Sequence, residues 1–222
     1  MIDADGKPFH VAWRYSRAEM IADGVIHGLG LVLAIGGAGV LLALAAYRLT
    51  AGEVVAVLVY AAGLVGLLSI SAAYNLWPVS RTKWWLRRFD HASIFILIAA
   101  TYTPFMTRMA GEGPAFALFI AVWVVAIGGA LVKILLPGRF DRLAILAYLL
   151  LGFSGCLVWE TIARALSGTT ISLMLTGGLL YAGGVVFHVW NSLRFQNAVW
   201  HFFVLVASAV FYSAVLTGIV LA

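Results

Sequence analysis

The chain has 222 residues, of which 64% are hydrophobic and only 10% charged, and its mean hydropathy is +1.04. A soluble domain of this length cannot bury so much apolar surface, so soluble enzymes and binding modules are excluded and an integral membrane protein follows. The net charge of +5 carries no nucleic-acid signature, and the single Cys156 excludes an intrachain disulfide and a thiolate metal cluster.

Residues 1–21 are polar and basic, with Phe9, Trp13 and Tyr15 interleaved with His10, Arg14 and Arg17. They read as an interfacial segment at headgroup level, followed by one transmembrane domain over 22–222. The first apolar run, roughly Val25 to Tyr47, exceeds the ~7–15 residues of a signal-peptide core and is read as an uncleaved helix. Further runs lie at about Val54 to Trp77, Ala92 to Thr107, Pro114 to Leu136, Leu143 to Trp159, Thr169 to Trp190 and Ala198 to Leu221. Most approach the ~17–25 residues that cross a bilayer, which predicts an all-α, seven-transmembrane bundle. The third run is interrupted by Thr101, Thr103 and Pro104, and Gly36 to Gly39 and Gly183–Gly184 read as small-residue packing surfaces.

Basic residues fix the expected orientation. Lys7, Arg14, Arg17, Arg81, Lys83, Arg87, Arg88, Lys133, Arg139, Arg142 and Arg194 fall on the side of the N-terminus, against Arg48, Arg108 and Arg164 on the other. By the positive-inside rule the N-terminus is cytoplasmic and the C-terminus outside.

Polar residues then gather at one depth. Glu19, Asp23 and His27 open the first helix; Ser71 and Asn75 close the second, ahead of a cationic hairpin; Asp90 and His91 open the third; His188 closes the sixth; Asn197 and His201 open the seventh. The four-residue spacings within Glu19–Asp23–His27, Ser71–Asn75 and Asn197–His201 put each set on one helix face. Ionisable groups at that depth are costly and are functional candidates by default, for metal binding, water activation or mutual hydrogen bonding.

The motifs E-x-x-x-D-x-x-x-H (Glu19 to His27), S-x-x-x-N followed by RRFDH (Ser71 to His91), AATYTPF, GGLLYAGG and FQNAVWHFFVL resemble the hemolysin III proteins. These form the bacterial branch of the progestin and adipoQ receptor family. The resemblance implies a bacterial inner-membrane protein with a zinc site at the cytoplasmic end, held by three histidines near a Ser and an Asp. Ser71, Asp90 and His201 match that pattern, whereas Asn75 and Asn197 occupy two expected histidine positions. A neutral amide oxygen is a poor zinc ligand, so a metal-free network of Asn75, Asn197, Asp90 and His201 is the favoured expectation. His188 or His27 swinging in is the alternative.

Three functions remain open at this stage. One is binding of a membrane lipid or fatty acid in service of membrane homeostasis, with the headgroup near Asp90, Asn197 and His201 and the tail among Phe202, Phe203 and Leu205. Another is a ceramidase-like zinc hydrolase, with Asp90 assisting proton transfer and Ser71 holding the oxyanion or metal. The third is a pore-forming hemolysin.

Overall fold

In a computed structural model, residues 15–222 are described. Helices run over α1 Arg17–Arg48, α2 Ala51–Leu76, α3 Arg81–Met106, α4 Gly113–Leu135, α5 Asp141–Gly152, α6 Trp159–Ala165, α7 Gly168–Val189 and α8 Gln196–Val215. A 3₁₀ segment, Ser154–Val158, joins α5 to α6, and a π turn, Leu216–Val220, extends α8. With those joins the described residues hold seven helical spans long and apolar enough to cross a membrane. The protein is an all-α, multi-pass membrane protein.

Local chemistry explains where the helices begin. Ser16 and Glu19 form a capping box at α1, the Glu19 carboxylate accepting from the Ser16 N–H at 2.8 Å and the Ser16 hydroxyl accepting from the Glu19 N–H at 3.3 Å. Thus α1 starts inside the segment read as interfacial; residues 1–14 lie outside the described part. Ser80 caps α3 and Ser167 caps α7.

Two elements differ from the sequence reading. α3 begins at Arg81, not near Ala92, so the expected cationic hairpin is the first two turns of the helix and Asp90 stands in its third turn. The fifth span is two short helices, not one continuous run. The break is tied to α3 by Tyr102, whose hydroxyl lies 3.0 Å from the Gly152 carbonyl and accepts from the Gly155 N–H at 2.9 Å. Backbone groups freed inside a membrane need such partners.

The interrupted run in α3 stays helical past Pro104. Thr101 and Thr103 donate to the carbonyls of Leu97 and Ala99 at 2.8 and 3.0 Å. Small-residue packing is more selective than the sequence implies: Gly37 lies against Tyr212, and Gly184 against Phe203 and Trp200, while Gly36 and Gly39 face open space. A very close approach joins α4 to α3, where a Cβ on Gly129 would stand 2.5 Å from the buried Phe95 ring. Gly129→Val is therefore expected to destabilise the bundle by about 2–3 kcal/mol through overpacking, measurable as a lower midpoint of thermal unfolding in detergent.

Candidate functional site

The end of the bundle where α1 and α3 begin carries most of the basic residues and the polar groups. On α1, Asp23 and His27 are one turn apart on the buried face, 5% and 4% exposed. α8 brings His201, 8% exposed, against both: its Nδ1 is 2.6 Å from Asp23 Oδ1, and its ring centroid is 4.3 Å from that of His27. Asn75, at the end of α2, donates through Nδ2 to the Ser71 carbonyl at 3.0 Å and stands 3.4 Å from His201 Nε2. Asn197 donates to Asn75 Oδ1 at 3.4 Å. The two amides, His201 and Asp23 thus form one polar chain across three helices.

Asn75 is held from below. The buried Lys83 donates to the carbonyls of Asn75 and Trp77 at 2.8 and 3.0 Å, closing the end of α2 with a cation as the helix dipole favours.

Asp90 and His91, on α3, line a large cavity that His201 also lines. Ser71, His201 and Arg87 are the neighbours that act on Asp90. His91 is fixed through its carbonyl, which accepts from the Tyr148 hydroxyl at 2.7 Å. His188, on α7, lines the opposite wall with its ring 4.9 Å from Trp200, while its carbonyl accepts a bond from Gln196. It has not swung toward His201. Glu19 caps α1 and also lines the cavity, accepting from the Phe195 N–H at 3.1 Å and so joining α1 to the turn before α8. Phe195 adopts φ 60, a left-handed conformation unusual for a bulky residue.

The cavity has a volume of about 910 Å³. Its polar mouth is formed by Ser71, Asn75, Asp90, His91, His188, Asn197 and His201, joined by Arg87. Its shaft is lined by Leu67, Ile94, Leu97, Phe105, Met174 and Phe211, reaching Met109 and Ala115 at the far end of the bundle. Asp90 to Met106 alone spans about 24 Å of helix rise. The apolar residues expected around a tail do not line it. Phe202 is exposed on the outer surface, Phe203 packs on Phe187 and Gly184, and Leu205 meets Gly30.

An ion-pair cluster beside the mouth had no signal in the motifs. Asp141, at the start of α5, pairs with Arg87 at 2.8 Å and Lys133 at 2.5 Å, and Lys133 on α4 is only 3% exposed. A lysine three residues before the end of an apolar run was the visible hint.

The zinc site implied by the sequence resemblance does not fit this donor set. Only His201 of the three expected imidazoles is present, and the amides at the other two positions hydrogen-bond one another and Ser71. No chemistry is assigned to zinc there.

Comparison with known proteins matches residues 16–212 to the family model described as Haemolysin-III related. The chain is 34% identical over 198 residues to the Hemolysin-3 homolog of Bacillus subtilis (strain 168), covering 89% of this chain and 93% of that protein. It is 35% identical over 198 residues to Hemolysin-3 of Bacillus cereus, covering 89% and 90% respectively. A more distant likeness, 31% over 167 residues, is to the human monocyte to macrophage differentiation factor, with 71% of this chain and 67% of that protein covered. No solved structure matches. A match spanning almost every described helix, together with relatives aligned along most of their own length, means that the chain belongs to the haemolysin-III-related family.

Proposed function

We propose that this family member binds a single-tailed or slender membrane lipid, most simply a fatty acid, and through it acts in membrane homeostasis. The observation that carries the reading is the cavity: an apolar shaft bounded at one end by cationic, hydrogen-bonding and carboxyl groups. That polarity gradient matches an amphiphile, with apolar walls supplying affinity and a few placed polar groups fixing the head. Arg87 and His201 provide donors for an anionic head, and Asn75 and Asn197 offer both donors and acceptors.

The protein is placed by this reading in a bacterial inner membrane, with the basic end in the cytoplasm. A periplasmic reporter fused after Ala222 is expected to be active; activity only of a cytoplasmic reporter would overturn that orientation. The lipid reading is tested by solvent extraction and mass spectrometry of protein purified in mild detergent. One lipid class enriched to about one equivalent over a detergent-only control supports it. Bulk membrane lipid at background proportions overturns it.

A further inference from the structure

Asp23, His27 and His201 are each buried, yet the His27 Nε2 has no hydrogen-bond partner among the described residues. A buried imidazole nitrogen left unpaired is costly, and native interiors rarely tolerate one without a purpose. It faces the carboxylate: Nε2 is 3.7 Å from Asp23 Oδ2, while the other carboxylate oxygen meets His201 Nδ1. One ligand atom from each of the three residues lies within 4.8 Å of the others.

We propose that these three side chains form a binding site for a divalent transition-metal cation of the zinc class. This site differs from the one that the sequence resemblance implies. It draws two ligands from α1, keeps only His201, and leaves Asn75 and Asn197 outside the ligand set. Two imidazoles and one carboxylate are the donor set of three-ligand zinc sites that keep a position open.

Ligand atoms held ~2.1 Å from a tetrahedral zinc stand roughly 3.4 Å apart. His27 Nε2 stands 3.7 Å from Asp23 Oδ2, already close to that length, and His201 Nδ1, 2.6 Å from Oδ1, opens by under about 1 Å, so each carboxylate oxygen faces one imidazole. In the metal-free state His201 Nδ1 and Asp23 Oδ1 are hydrogen-bonded at 2.6 Å. The cation takes the proton's place, and the proton leaves to water. Access exists: a second cavity of about 340 Å³ reaches Asp23 from the basic end, past Tyr15, Glu19, Asn75 and Asn197. Lys83 also lines it, with its ammonium donating to two backbone carbonyls. The pattern behind the site was visible in the sequence, since Asp23 and His27 share a helix face, but its partner on α8 was assigned to the amides.

The proposal does not depend on the lipid reading. The test loads tag-free purified protein with Zn²⁺, desalts it, and measures bound zinc by elemental analysis, alongside the absorption spectrum of the Co²⁺ form. About one equivalent is expected for the unaltered chain, with Asn75→Ala and Asn197→Ala retaining it. His27→Ala, His27→Gln and Asp23→Asn are expected to lose at least about tenfold in affinity, a typical loss for a site's polar supports. The visible bands of low-coordinate Co²⁺ should vanish with His27→Gln in protein that remains monodisperse. Zinc no higher than in His201→Ala, or zinc kept by monodisperse His27→Gln, would overturn the proposal.

Discussion

Replacing Asp141 with leucine is expected to lower stability by about 3 kcal/mol, the low end of the cost of stripping one partner from a buried ion pair, because Asp141 itself is 29% exposed. Asp141 is the common counter-ion of Lys133 and Arg87, whose side chains are 3% and 12% exposed. Without it, two cations from α4 and α3 are left confronting each other beside the start of α5. For a chain of this length the loss corresponds to roughly 6–12 °C in the unfolding midpoint. Scanning fluorimetry in detergent measures it, and a double-mutant cycle with Lys133→Met isolates the cause. In the Lys133→Met background the same change should cost markedly less, because the charge it orphans is gone. Equal costs in both backgrounds would mean that Asp141 acts only as an exposed first-turn residue of α5.

Met174→Trp is expected to reduce retained lipid by about tenfold or more, equivalent to at least ~1.4 kcal/mol of binding free energy. Met174 lines the apolar shaft, and an indole there occupies volume that an acyl chain would need. Phe202→Leu is the control. Phe202 is exposed on the outside of α8 and does not line the cavity, so retention should not change. Quantitative lipid mass spectrometry on both variants separates a ligand in the shaft from annular lipid on the outer surface. Annular lipid would respond to Phe202 and ignore Met174.

Much of this was legible in the chain because the membrane imposes a simple code. Long apolar runs must be helices, and polar residues inside them must find one another. The four-residue spacings of Asp23–His27, Ser71–Asn75 and Asn197–His201 mark residues on three helices, and Asp23, Asn75, Asn197 and His201 meet in one polar chain. What stayed hidden depends on longer-range contacts or on averaging. The start of α3 was obscured because Arg81, Lys83, Arg87 and Arg88 dilute the hydropathy of a helix that Ser80 in fact caps. The break after Gly152 was hidden by uniformly apolar composition, and nothing near it in sequence announces that Tyr102 will hold it. The pairing of Arg87 with Asp141 joins residues 54 positions apart, beyond any periodicity. Glu19 carries a second role that its spacing does not reveal: one turn into the helix, its carboxylate also caps α1.

The fifth span is jointed, and its joint is held to α3 through the Tyr102 hydroxyl. A continuous helix resists bending along its whole length, whereas two short rods meeting at a 3₁₀ elbow pivot about a single anchor. Gly152, Phe153, Gly155 and Cys156 at that elbow also border the cavity. Under the proposed lipid reading, an opening at that elbow would let a hydrophobic guest cross from bilayer to protein without passing through water.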